Sequence, residues 1–141
     1  MSQAIRVRLG WLRFMYAYTI AGAGAFGLGI LVAPDAMGSA LRFPKEDPIV
    51  LGISGSVYSA FAILSLLGLR SPLKFVPVLL LQLCYKCIWF LCIVIPLGVS
   101  GHLPPYSVAP AVIFATYIIG DLIAIPFRYV FAKDLPLEGQ P

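Results

Sequence analysis

Charge is scarce in this chain. Lys, Arg, Asp and Glu make up 11% of its 141 residues, against about 25% in ordinary soluble domains. With 60% of the residues hydrophobic, so short a chain cannot hide its apolar surface from water. The shortage of charge therefore excludes a soluble globule and points to lipid as the solvent. Histidine is scarcer still, with His102 alone among 141 residues. It lies far from the three cysteines, so no ordinary zinc site can be assembled and no metal is expected. The ten bases against six acids form no stripe of the kind that tracks nucleic acid, which excludes that partner. Also missing are G-x-S-x-G, H-E-x-x-H and P-loop patterns, so no catalytic residue and no cofactor is expected.

What the chain does have is four apolar runs, roughly 11–33, 49–69, 75–98 and 107–127. Each supplies about the 20 residues that a helix needs to cross a hydrocarbon core. Backbone groups in hydrocarbon must be paired within their own element, so the runs are helical. The expectation is an all-α integral membrane four-helix bundle forming one domain over 1–141. The first run follows Arg6, Arg8 and Arg13 as a signal peptide would, but it is longer than the 7–15 or so residues of such a signal. Pro34-Asp35 ends the first helix, and Asp47-Pro48 offers an N-cap and an N1 proline to the second. Gly68 to Pro72 forms a turn, and Gly101 with Pro104-Pro105 interrupts the third connection. Pro126 should bend the end of the fourth helix and lay Phe127, Tyr129 and Phe131 along the interface.

Orientation follows from the bases in the connections. Arg6, Arg8, Arg13, Arg70, Lys74, Arg128 and Lys133 fall on one side. Arg42 and Lys45 fall on the other, offset by Asp35, Glu46 and Asp47. The bias places both termini in the cytoplasm (N-in, C-in). The connection from 35 to 47 reads either as a plain loop or as a short interfacial helix with Met37, Leu41 and Phe43 on its apolar face.

Small residues recur every fourth position at Ala21, Ala25 and Gly29 and again at Gly52, Ser56 and Ala60. Such stripes let two backbones approach closely, so the first two helices are expected to pack along them. Two ionisable residues lie inside the last two runs. Lys86 is twelve residues past Lys74, about 18 Å along the helix and so near the midplane. Asp121 lies seven residues before Arg128. An unpaired charge at such depth costs at least about 2.5–3.5 kcal/mol, so it should face the bundle interior and find a partner. Side chains lean toward the N-terminus of their own helix, which brings these two toward each other and predicts a direct Lys86–Asp121 pair. Gln82 and Trp89 share the face of Lys86, and Tyr117 shares that of Asp121. Tyr16, Tyr18 and Thr19, or Tyr58 and Ser59, could complete a polar cluster that is either structural or a proton or ligand site. Cys84, Cys87 and Cys92 lie within a single apolar helix and read as packing residues.

With four spans in so short a chain, the sequence resembles the DoxX-like group of small bacterial membrane proteins. The likeness is carried by GLGILVAPDAMG over 27–38 and LGISGSVYSAFAILSLLGL over 51–69. It implies a multi-pass protein of the bacterial inner membrane, in a group with some members linked to quinone-dependent complexes. The functions considered are a non-enzymatic accessory or ligand-binding subunit, an ion- or proton-coupled transporter working as a dimer, and an enzyme acting on a quinone or lipid. The expected partners are the lipid bilayer, a small apolar ligand with a polar head group, and a second copy or larger membrane complex.

Overall fold

The computed structural model describes residues 6–132, all of whose regular structure is helical. Helix α1 covers Leu9–Val32, α2 Pro34–Leu41 and α3 Pro48–Arg70. Helix α4, Val76–Trp89, runs on through a π-turn at Phe90–Val94 into α5, Ile95–Val99. After a 3₁₀ turn at Pro105–Ser107 come α6, Val108–Ala124, and the short α7, Phe127–Val130. Four stretches are long and apolar enough to cross a membrane: Leu9–Val32, Pro48–Arg70, Val76–Val99 and Pro105–Ala124. The protein is thus an all-helical multi-pass membrane protein, and the exposed Leu, Ile and Val of every span form its contact with lipid.

Local chemistry accounts for the breaks. Asp47 accepts from the amides of Ile49 at 2.8 Å and Val50 at 3.2 Å, and Pro48 follows at the first helical position. Pro96 cannot donate to the carbonyl one turn back, and the ladder widens into the π-turn just before it. Pro126 does more than bend the fourth span. Ile125 becomes extended, the helix stops at Ala124, and α7 restarts at Phe127. The segment 34–47 takes the helical one of its two expected readings, although Phe43 lies beyond the helix. Its first half is α2, closed by Arg42 in the left-handed conformation, and Met37 packs back on Gly29.

Helix α1 is the spine. Its buried residues Leu12, Met15, Tyr16, Thr19, Ala23, Gly27 and Ile30 recur every three or four positions. It packs on α3 along most of its length and on α6 more locally; α4 packs on α6 and touches α3 only sparingly. The close contact between α1 and α3 is present, but not along the expected stripes. Ala21, Ala25, Ser56 and Ala60 are exposed, Gly52 is half-buried, and Gly29 meets α2. The backbones instead meet at Gly24 and Gly27 of α1 and at Gly55, Ser59 and Ala62 of α3. Small residues occupy nearly every position from 21 to 29, so several rotations of α1 offer a small stripe. The choice among them falls to the large side chains of the same buried face, Leu12, Met15, Tyr16 and Ile30.

The up-and-down order gathers Arg8, Arg13, Arg70, Lys74 and Arg128 at one end of the bundle, here called the basic end. Lys133, counted with them above, lies outside the described residues. The opposite, distal end carries α2 and the connection 100–107.

Candidate functional site

The site begins at the bundle's buried polar residues. Thr19 Oγ1 lies 2.8 Å from the Met15 carbonyl and 3.2 Å from Gln82 Oε1. The Gln82 amide in turn donates to Asp121 Oδ2 at 3.1 Å. Three spans are thereby tied through a chain of hydrogen bonds in a buried core, where such bonds are costly to leave unmade. Asp121 is 0% exposed, and its Oδ1 has no hydrogen-bond partner among the described residues.

Lys86, 2% exposed, does not pair with Asp121. Its Nζ donates to the Tyr85 hydroxyl at 2.7 Å. It sits 4.4 Å from the centre of the Tyr85 ring, 5.0 Å from Phe114 and 4.3 Å from Tyr117, so the charge rests against three π faces. The expected direct pair is therefore corrected. Gln82 lies one turn nearer the basic end than Lys86 and on the same face, which is the depth of Asp121, and it takes the carboxylate first. Lys86 is left to the aromatic residues on the distal side.

Those aromatics close the floor of a cavity of about 450 Å³ in the distal half of the bundle. All four spans wall it. Phe26 and Ile30 come from α1, Leu51, Ser54 and Tyr58 from α3, Lys86 and Trp89 from α4, and Ile113, Phe114 and Tyr117 from α6. Leu41, Phe43 and Tyr106 stand at its distal mouth with Glu46, the Phe43 and Tyr106 rings meeting edge-to-face at 5.7 Å. Below the floor, Tyr85 meets Phe61 at 5.5 Å and Tyr58 at 6.4 Å, the zone where α3 and α4 touch. Pockets of this size and apolar character with few polar groups are the usual form of a binding site.

Of the residues expected to cluster, Gln82, Lys86, Tyr117 and Asp121 are buried together in the core, and Trp89 is half-buried on the cavity wall. The candidates for completing the cluster divide. Thr19 joins Gln82, and Tyr58 lines the cavity. Tyr18 faces Thr116 at 2.8 Å, and Tyr16 bonds the Pro72 carbonyl at 2.7 Å. Sequence reasoning missed Tyr85 and Phe114, the rings nearest Lys86. It looked three and four residues along one helix, whereas Tyr85 adjoins Lys86 in sequence and Phe114 comes from another span. Ser54 was also missed. It sits on the α3 wall, and its hydroxyl donates to the Val50 carbonyl at 3.3 Å. Cys84 and Cys92 are exposed on the outer face of their span and Cys87 is half-buried. His102 is exposed in the connection beyond α5 and does not line the cavity.

Comparison with known families gives one match: residues 1–134 fit the family model described as Rhomboid domain. No curated protein and no solved structure matches the chain. The match overturns the resemblance to the DoxX-like group; the multi-pass membrane placement stands, without the bacterial inner membrane that the resemblance had implied. It likewise removes the support for an accessory or ligand-binding subunit, for an ion-coupled transporter and for a quinone or lipid enzyme. The features that suggested DoxX, a glycine-rich first helix ending at proline and a small-residue second helix, follow from close helix packing in any short membrane bundle.

Proposed function

Since the chain belongs to the Rhomboid domain family, a family of membrane proteases and pseudoproteases, we propose that it is a non-cleaving member that binds a segment of another membrane protein. The observation that carries this reading is the separation of the groups that peptide hydrolysis needs. A serine nucleophile requires a base within about 2.6–3.2 Å. Of the two serines that line the cavity, Ser54 is bonded to its own helix at Val50 and Ser107 to the Pro104 carbonyl. The sole histidine stands exposed on the distal connection. The amine in the cavity, Lys86, donates to the Tyr85 hydroxyl and lies against three rings, with no hydrogen bond to a serine. What remains is an aromatic, mostly apolar recess walled by four spans, two of which, α3 and α4, are only in sparing contact. Its volume accepts a few side chains of a neighbouring segment and not a whole helix.

The same reading takes the basic end as cytoplasmic, on the positive-inside rule, and takes the span of the family match, 1–134, as support for one domain. The distal mouth then faces the opposite side of the membrane.

The test is reconstitution of the full chain in vesicles with fluorophosphonate and with dye-labelled single-span peptides. Peptide binding with no covalent adduct at Ser54 and no cleavage is expected. Cleavage that disappears in Ser54→Ala would establish a protease and overturn the proposal.

A further inference from the structure

Lys86 has a consequence for the partner, one that rests on the polypeptide-binding reading above. A lysine in the middle of a membrane span is expensive, and its energetic cost is ordinarily offset by a carboxylate. Here the two oxygens of Asp121 are turned to Gln82 and to no partner. Among the described residues no carboxylate touches Lys86: Asp121 attracts it from beyond contact distance, and its hydrogen-bond acceptor is a neutral phenol. The three rings hold the ammonium while the cavity is empty of protein, since a cation against a desolvated aromatic face is attracted by the ring quadrupole. A neutral phenol and ring faces leave two of the three ammonium donors without a lone-pair acceptor. Those donors belong to a side chain that lines the cavity.

We infer that the bound segment presents an aspartate or glutamate side chain to Lys86 at the level of the Tyr85, Phe114 and Tyr117 rings. Charge complementarity argues for this occupant over a purely apolar one. A client span with an acid near its middle bears the same insertion penalty as Lys86 does, and joining the two relieves both at once. An ordinary apolar span has nothing to offer the ammonium and fills only the Phe26, Ile30 and Ile113 walls. Selection of acid-bearing segments therefore follows from the site itself. Glu46 at the distal mouth sharpens the register. A client carboxylate held there would meet a like charge, so the favoured position is the deep one.

The experiment uses the full chain in phosphatidylcholine vesicles and three Leu/Ala single-span peptides that differ at one midplane position, Glu, Gln or Leu. Binding is read by energy transfer between dyes on peptide and protein. The Glu peptide is expected to bind roughly five- to thirtyfold more tightly than the Gln peptide, the span of one good intramembrane polar contact. Moving the Glu two turns along the peptide should remove the preference, as should Lys86→Met. Lys86→Glu should turn the preference toward a peptide with midplane Lys. Equal binding of Glu and Gln peptides by the unaltered chain would overturn the carboxylate inference while leaving polypeptide binding standing. Binding of none of the peptides would overturn polypeptide binding as well. A Glu preference that survives in folded Lys86→Met would remove Lys86 from the site. Should the Lys86 variants fail to fold, the peptide series on the unaltered chain still decides.

Discussion

Gly27→Ala offers the sharpest test of how the two most extensively packed spans meet. A Cβ at position 27 would stand 2.6 Å from the Ser59 nitrogen and 2.8 Å from the Gly55 carbonyl oxygen. Both are backbone atoms in the middle of α3, so no rotamer change can move them aside. Ordinary contact begins near 3.4 Å, so the helices must part by roughly 0.8 Å along this seam or the new methyl must stay strained. Overpacking of this kind costs about 1–3 kcal/mol, and an immovable backbone neighbour argues for the middle of that range. At about 2 kcal/mol the folded-to-unfolded ratio falls roughly thirtyfold. The assay is reversible unfolding in mixed micelles, followed by helical circular dichroism and by Trp fluorescence. Ala25→Leu and Ser56→Leu serve as comparators, because both positions are exposed and substitutions at such sites stay within about 0.5 kcal/mol. A neutral Gly27→Ala alongside a damaging Ala25→Leu would refute the register and return the contact to the stripe first expected.

Two further outcomes follow from buried polar groups and caps. Gln82→Leu removes the partner of Asp121 Oδ2 and should destabilise by about 1–3 kcal/mol or more, whereas Gln82→Leu with Asp121→Leu should recover much of the loss; additive losses in that double-mutant cycle would show that the two do not act as a unit. Asp47→Ala removes the acceptor for the Ile49 and Val50 amides and should cost about 1 kcal/mol. Hydrogen exchange at those two amides should quicken while the centre of α3 stays protected, and unchanged exchange would count against the cap.

How much of the site could be read from the chain depends on the kind of rule each part obeys. That Lys86 and Asp121 are buried follows from depth alone, since a charge at the midplane has nowhere else to go. Whom each one meets does not follow. The expected pair assumed that two opposite charges at similar depth find each other. The outcome was decided by Gln82, which is neutral and sits at the better height, and by three rings from two helices. Tyr85 illustrates the difficulty. It is one residue from Lys86 and points roughly 100° away around the helix, yet a long lysine side chain reaches its hydroxyl. Ser54 carries no mark in the chain, because nothing in the local sequence distinguishes a serine on a cavity wall from one that packs or bonds its own helix. The family, too, was misread from features that belong to membrane bundles in general.

By itself the sequence determined the four spans, the N-cap at Asp47 and a disturbance of the helix at Pro126, though not that the helix stops there, because these obey local rules: hydrocarbon forces backbone groups to pair within a helix, and proline and capping residues act on their own turn. The tertiary structure alone decided how far each helix is rotated about its axis. With small residues at almost every position from 21 to 29, α1 has several rotations of similar local energy. The contacts of Gly27 with α3, of Met37 with Gly29 and of Tyr16 with Gly68 select among them. The rotations of α3, α4 and α6 likewise decide that Gln82 meets Asp121 and that Ser54 and Lys86 line the recess on which the proposed function depends.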